Sequence, residues 1–292
     1  MKSPPFEYAR AASIDEACAL LAQHGDAAKL LAGGQSLVPM MAMRLLRPAW
    51  LVDINEIAAL KDIAVDERGA RTAACARQVD IERDTTLAAR VPLLGRALAW
   101  VGHVQTRNRG TVGGSLAHAD PSAELPLVAQ LLGAKMRLRS ARGTRSVEAD
   151  AFFGGPMTTT LAPDECLEVI EWPAWPERRL GCAFVETAAR HGDFAMASAA
   201  AQIGLDADGR CTRVALGLGG VGMTPLAFPA LTARLVGSRP TPADLDDLAR
   251  DAAAQTEPND DLHASSEYRR HLARVLAARA LRAALEDAER EK

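Results

Sequence analysis

Two pairs of adjacent glycines constrain this chain more than any other feature. The stretches LAGGQSLVP (residues 31–39) and TVGGSLAHADP (residues 111–121) each set Gly-Gly beside apolar sequence and follow it with hydroxyl side chains. Adjacent glycines let the backbone turn without a Cβ clash and aim successive N–H groups one way, an arrangement that holds an anion without a charged side chain. Gly33, Gly34, Gln35 and Ser36 follow a buried apolar run; Gly113, Gly114 and Ser115 precede a segment of helical period. Ser36, Thr111 and Ser115 add hydroxyl donors, and a nearby helix amino terminus favours the same negative charge. Neither stretch has the Lys of a P-loop, so ATP chemistry is not indicated. Two cradles in series suit a pyrophosphate held between them, as in a dinucleotide; the plainer alternative is two tight turns.

The flanking pattern predicts how these stretches are mounted. Ser13-Ile-Asp-Glu16 reads as a capping box, and Ala17, Leu20 and Leu21 continue a helical stripe up to Gly25. AAKLLA and WLVDI read as buried strands on either side of the first glycine pair. IAVDERGARTAAC and AKMRLRSARGTRSVEA read as hairpins, and PLLGRALAWVG and PSAELPLVAQLLGA as helices with the second glycine pair in a loop between them. Pro121 suits a first helical turn, so this loop is expected to feed a helix amino terminus. A proline-punctuated linker follows LEVIEWP, and a domain boundary is placed there. FVETAAR, MASAAAQIGLD and RCTRVALGLG are expected strands, the last two joined at ADG; one helix opens at Thr241-Pro242 and another spans about residues 266–285. The predicted domains are therefore 1–175, split at about 57, and 176–292.

Composition excludes several alternatives. A net charge of −3 offers no field for a polyanion, so nucleic acid is not an expected partner. No apolar run reaches membrane-spanning length and the amino end has no signal-like apolar core, which points to the cytoplasm. The five cysteines are scattered singly, a spacing that suits neither a disulfide framework nor an iron–sulfur or zinc site in this chain. GLGGVG (residues 217–222) matches G-x-G-x-x-G, but it closes an expected antiparallel hairpin and prolines follow; it reads as a glycine-rich strand end.

His118 and Asp120 lack any nucleophile elbow or paired base, and His-x-Asp alone is poor metal spacing. Asp120 is expected to cap the helix behind Pro121, and His118 to line whatever the loop encloses. Glu124, in the first turn, suits the helix dipole or accepts from a ribose hydroxyl. No catalytic acid–base residue and no metal ligand is assigned.

Taken together, LLAGGQSLVPMMAMRLLRPAWLVDIN, QTRNRGTVGGSLAHADPSAELP, FFGGPMTTTLAPDECLEVIEWP, FVETAARHGDFAMASAA and GLGGVGMTP, in this order, resemble the FAD-binding medium subunit of molybdenum hydroxylases, the xanthine dehydrogenase and aerobic carbon monoxide dehydrogenase family. The resemblance covers nearly the whole chain. It implies an α+β fold: a two-subdomain FAD-binding domain (PCMH-type) followed by a smaller α+β flavoprotein carboxy-terminal domain. It implies FAD between the subdomains, with its pyrophosphate against Gly33 to Leu37 and Thr111 to Ser115. The implied cofactor contacts are Ala32, Gly33, Gly34, Gln35, Ser36, Leu37, Gly110, Thr111, Gly113, Gly114, Ser115, His118, Asp120, Glu124 and Leu167, the last near the flavin ring. RHGDFA (residues 190–195) resembles the segment approaching that ring. Some relatives carry a flavin-reaching Lys at the place of Val185, a contact this chain lacks; an Arg often found after GVGMTP is also absent, where Leu226, Ala227 and Phe228 stand.

On this resemblance the chain carries electrons. A large subunit with the molybdenum cofactor oxidises the substrate, [2Fe-2S] clusters of a small subunit relay single electrons, and FAD passes them to NAD, oxygen or a quinone. The implied assembly is a heterotrimer or a dimer of heterotrimers. A self-contained FAD oxidase of the vanillyl-alcohol oxidase kind is the rival reading, and its usually larger substrate domain counts against it. A nonenzymatic scaffold with glycine turns is the third.

Overall fold

The structure, a computed structural model, describes residues 2–290. Its amino-terminal unit contains β1 (Glu7–Arg10), α1 (Ile14–His24), β2 (Ala28–Leu31), α2 (Leu37–Ala42) and β3 (Trp50–Asp53), with a parallel sheet ordered β1-β3-β2. Ser13 caps α1 as its sequence predicts, its Oγ accepting from the Glu16 N–H at 3.1 Å. The Glu16 carboxylate returns one residue further upstream, to the Ala12 N–H at 2.7 Å. Gly25 ends the helix at φ +53°, a left-handed value that costs glycine little. The buried Ala17, Cys18 and Leu21 face the sheet. β1 had no sequence signal: a four-residue edge strand, mostly exposed, lacks the apolar alternation that marks one.

The second unit begins with the hairpin β4 (Ile63–Asp66) and β5 (Gly69–Ala73). Six short helices follow: α3 (Gln78–Arg83), α4 (Thr85–Arg90), α5 (Pro92–Leu98), α6 (Val104–Arg109), α7 (Val112–His118) and α8 (Glu124–Leu132). Then come the hairpin β6 (Lys135–Ser140) and β7 (Gly143–Glu148), α9 (Ala149–Phe152), the small pair β8 (Phe153–Gly155) and β9 (Thr158–Thr159), and β10 (Cys166–Pro173). The sheet order is β4-β5-β10-β6-β7, antiparallel throughout, so β10 runs through the centre. Trp172 at its end is 1% exposed, and its indole N–H donates to Thr72 Oγ1 at 2.9 Å, which satisfies the one polar atom of a buried aromatic.

Past the proline linker stand β11 (Arg179–Thr187), β12 (Ala197–Leu205), β13 (Cys211–Gly219) and the two-residue β14 (Leu226–Ala227), in that order in one antiparallel sheet. α10 (Pro229–Thr232), α11 (Pro242–Ala254) and α12 (Ser266–Arg290) complete the chain. Thr241 and Asp244 form a reciprocal capping box at α11. β12 is buried at every position because both faces of the sheet are covered. Ala199, Ala201 and Ile203 pack with α11 and α12 on one side, while Cys182, Phe184 and Ala200 join the core of the second unit on the other. The GLGGVG stretch ends β13 in antiparallel pairing, as its sequence context predicts.

α12 lies so close to β11 that a Cβ on Gly181 would sit 2.1 Å from the Ala284 carbonyl oxygen and 2.2 Å from the Ala288 nitrogen. Both are helix backbone atoms and cannot rotate away. Gly181→Val should therefore lower stability by about 1–3 kcal/mol or more through overpacking, read as an earlier denaturant midpoint. An unchanged midpoint would contradict this packing.

Candidate functional site

The two glycine stretches face one cavity of about 720 Å³, whose lining runs from Asp26 and Lys29 in the first unit to Gly192, Asp193 and Phe194 beyond the linker. Every one of the fifteen cofactor contacts named from sequence lines it: residues 32–37, Gly110, Thr111, Gly113, Gly114, Ser115, His118, Asp120, Glu124 and Leu167. Its size falls in the upper part of the range usual for ligand clefts, about 300–1,000 Å³.

The first glycine pair has the backbone expected of an anion cradle. Gly34 sits at φ +68°, and the turn it makes leads directly into α2. The turn is closed by its carbonyls: Val38 N–H donates to Gly34 O, Met40 N–H to Ser36 O, and the Gln35 side-chain amide to Gly33 O, each at 3.1 Å. The backbone N–H groups of residues 33–37 donate to no acceptor among the described residues. Backbone donors are almost always paired with something. A run of five that line a cavity instead is a preformed set of donors for an anion.

The second pair differs from its sequence reading. It lies inside α7, not in a loop, and its donors are already used. Thr111 is the N-cap, its Oγ1 accepting from Gly114 N–H at 3.0 Å, while Val112 N–H reaches Ala76 O, Gly113 N–H reaches Ala74 O and Ser115 N–H reaches Thr111 O. These glycines serve close approach. A Cβ on Gly113 would lie 2.5 Å from Ala74 Cβ; one on Gly110, 2.4 Å from Gln78 Oε1; and one on Gly33, 2.5 Å from Arg109 O and 2.9 Å from Gly110 Cα. At Gly33 the backbone of the first subdomain thus meets the backbone of the second directly, while Gly110 and Gly113 admit close packing within the second.

Asp120 does not cap α8. It accepts from Ser122 N–H at 2.9 Å in an Asx turn, and Pro121 lies three residues ahead of the helix, whose N-cap Ala123 makes no side-chain bond. Asp and Pro favour tight turns as strongly as helix starts, and here the chain must still turn once after α7. That turn begins at Ala119, at φ +53°, a conformation its sequence does not advertise. Val185 packs against the carboxy-terminal core, on the face of β11 turned away from the second unit.

A polar clamp holds the glycine stretches in register. Asn55 Nδ2 donates to Leu31 O at 3.1 Å and to Ala32 O at 2.8 Å, and its Oδ1 accepts from Arg77 Nη2 at 2.7 Å. Arg77 Nη1 donates to Arg109 O, the carbonyl against which Gly33 packs. Behind them Asp53 accepts from the Asn55 backbone and side chain and from Tyr8 Oη at 2.6 Å. Burial pushes the Asp53 carboxyl up, but these hydrogen bonds outweigh it and hold it below the ordinary value. Sequence reasoning missed Arg77 and Asn55 because their partners are distant in the chain.

At the other end Glu124 is 8% exposed in the first turn of α8. Burial, with Asp120 adding its charge, pushes this carboxyl up to about 7. Phe194 is 63% exposed at the edge of the same cavity, and Leu167 is buried on β10. All five cysteines are buried; Cys18, Cys75 and Cys166 share the amino-terminal core, and burial pushes the Cys75 thiol up to about 11.

Residues 4–175 match the family described as the FAD binding domain in molybdopterin dehydrogenase, and residues 182–284 the CO dehydrogenase flavoprotein C-terminal domain. This chain belongs to that family of molybdenum hydroxylase flavoproteins. It is 36% identical to the 6-hydroxypseudooxynicotine dehydrogenase complex subunit alpha of Paenarthrobacter nicotinovorans, covering 100% of this chain and 98% of that one. It is 37% identical to the caffeine dehydrogenase subunit beta of a Pseudomonas species, covering 96% and 95%. Its fold superposes on the carbon monoxide dehydrogenase of Hydrogenophaga pseudoflava with a TM-score of 0.94 at 36% identity, over 98% of this chain and 99% of that chain.

Removing the clamp tests the site geometry directly. Arg77→Ala leaves the Asn55 carbonyl oxygen and the Arg109 carbonyl short of a donor, so stability should fall by about 1–3 kcal/mol. Amide exchange at Gln78, which donates to Gly110 O at 3.0 Å, should quicken selectively. Exchange that stays at the wild-type rate there would remove Arg77 from this role.

Proposed function

We propose that this chain is the FAD-carrying electron-transfer subunit of a molybdenum-containing hydroxylase, taking electrons from iron–sulfur clusters of a partner subunit and handing them to an acceptor. The observation that carries the reading is the run of N–H donors at residues 33–37 without an acceptor among the described residues, in a stretch that lines the same cavity as the second glycine stretch.

The residues present fit FAD. The N–H groups of residues 33–37 would hold the pyrophosphate without a cationic side chain, and the Thr111 and Ser115 hydroxyls line the facing wall. Gly33 keeps the cradle pressed on Arg109 and Gly110. Glu124 would accept from a hydroxyl of the cofactor, and Leu167 would give the ring an apolar wall that excludes water. Bound there, FAD supplies two-electron chemistry that also proceeds one electron at a time. The chain's own task is to bind, orient and insulate, so it needs neither an acid–base pair nor a metal site. Among the described residues no group of three or more His, Cys, Asp or Glu is disposed to hold a metal.

The domain division at the proline linker follows the same reading: residues 1–175 bind the cofactor and 176–292 close it from outside. The relatives carry names of complex subunits, which supports a small iron–sulfur partner and a large molybdenum-binding partner in a heterotrimer or its dimer. Among the described residues no helix is long and apolar enough to cross a membrane, in keeping with a cytoplasmic complex.

The full-length chain should show flavin absorption bands after purification or after addition of FAD, and co-expressed partners should copurify with it. Gly33→Val should lose flavin binding by at least tenfold while the carboxy-terminal domain remains folded. A wild-type chain that takes up no FAD under either condition would refute the reading.

A further inference from the structure

The loop that reaches the cavity from the carboxy-terminal sheet is fastened at its tip and at its base. β11 ends at Thr187 and β12 begins at Ala197, and between them Gly192, Asp193 and Phe194 line the cavity. At the tip, Gly192 rests on His103 of the second unit: its φ is +88°, and a Cβ there would lie 2.7 Å from His103 Cε1. At the base, Met196 N–H donates to Thr187 O at 2.8 Å and closes the loop. A further fastening of the base comes from outside the sheet.

Arg269, in the first turn of α12, is 6% exposed. Its Nη1 donates to Met196 O at 2.5 Å and to Gly220 O at 3.2 Å, and its Nη2 donates to Asp261 Oδ2 at 2.6 Å. The carboxylate that aims it is itself fixed, because Asp261 Oδ1 accepts from His263 N–H at 2.8 Å and from Ala264 N–H at 3.0 Å. The hydrogen bond from Arg269 holds the Asp261 carboxyl down at about 2, so the pair is ionised near neutral pH.

Gly220 carries this fastening to a second part of the cavity wall. Its φ is +72°, and a Cβ on it would lie 3.1 Å from the Ala195 and Met196 carbonyl oxygens and 3.3 Å from Ser122 Oγ. Its N–H donates to Pro121 O at 2.8 Å, and Ser122 N–H closes that turn on Asp120 Oδ1. Asp120 lines the cavity, whereas Met196, Gly220 and Arg269 do not. One guanidinium therefore joins the base of the loop to the turn that follows α7.

Stability alone is a poor account of this arginine. A buried ion pair gains little over apolar packing of the same volume, because the charge must be desolvated. Arg269 Nε is also buried without an acceptor, which adds to the cost. What the arrangement does supply is geometry, since a planar guanidinium fixes carbonyls of two separate segments at one point.

We propose that Arg269 is a positioning residue for the cofactor site: it pins the base of the 188–196 loop to Gly220, and through Gly220 to the Asp120 turn, so that Gly192, Asp193 and Phe194 keep their place in the cavity wall. This rests on the reading of the cavity as the FAD site. Arg269 acts on how tightly the cofactor is retained and how well it is shielded, and touches none of it.

The test uses the full-length wild-type chain, R269M, R269K and, as a control, G181V. FAD affinity, iodide quenching of flavin fluorescence, apoprotein melting temperature and amide exchange are measured on each. Adding FAD to the wild type should slow exchange at the Met196 and Gly220 amides by at least about threefold, because coupling between two sites is reciprocal. R269M removes the donor and should bind FAD about tenfold more weakly, the equivalent of one lost hydrogen bond to a charged group, with stronger iodide quenching. R269K keeps a charged donor and should recover part of that loss. G181V strains the same sheet against α12 at the end of β11 away from the loop, so it should lower the melting temperature and leave FAD affinity within about twofold of wild type. An R269M chain with wild-type affinity overturns the inference, as does a loss no larger than that of G181V at an equal drop in melting temperature. Exchange at Met196 and Gly220 that FAD leaves unchanged in the wild type overturns it whether or not R269M folds. Failure of the wild type to take up FAD is a different outcome and refutes the function itself.

Discussion

The contact between Gly33 and the Arg109 carbonyl holds the rest of the site in place. A side chain at Gly33 would force the first unit away from the second, and the cavity exists only while they touch. Because that contact is backbone on backbone, it has no side chains to interlock and needs polar support. Arg77 and Asn55 supply it by hydrogen-bonding the carbonyls on both sides, Leu31 and Ala32 on one and Arg109 on the other. The carbonyls of Gly33, Gly34 and Ser36 accept within the turn, whereas the N–H groups of residues 33–37, which line the cavity, donate to no acceptor among the described residues. Backbone donors that the fold leaves without a partner among the described residues are the kind that an anion satisfies.

The carboxy-terminal sheet meets this assembly along one face. β12 is buried on both sides because α12 covers one and the second unit covers the other. Small residues along the sheet permit both approaches: Gly181 admits α12, and Gly217 and Gly219 admit α8. A backbone bond from Gly220 N–H to Pro121 O, at 2.8 Å, fastens the sheet to the turn that follows α7. The seam is mostly apolar, which is why the few polar groups in it, Glu124, Glu186 and Ser198, are energetically conspicuous.

Local signals were read correctly where the physics is local. The Ser13 cap, the helix opening at Thr241-Pro242, both hairpins of the second unit and the ADG hairpin all depend on neighbours within a few residues. The failures lie where a distant partner decides. Gly-Gly usually marks a turn, yet residues 112–118 form a helix because Ala74 and Ala76 accept its first N–H protons and Thr111 caps it. Asp120 next to Pro121 resembles a cap, but α7 ends only just before it, so the chain turns there instead. The strand β1 is recognisable only from β3 beside it.

The sequence alone determined the family, through the flanks and order of two glycine-bearing stretches, and every residue that the resemblance implied lies on one cavity. It determined this because glycine pairs, caps and hairpins are written in contiguous residues. Only the tertiary structure decided how the two stretches divide the work: the first offers unpaired N–H groups, the second supplies contact surfaces and hydroxyls. It alone brought Arg77 to Asn55 and to the Arg109 carbonyl. That arrangement depends on which groups a distant segment delivers, and no local pattern encodes it.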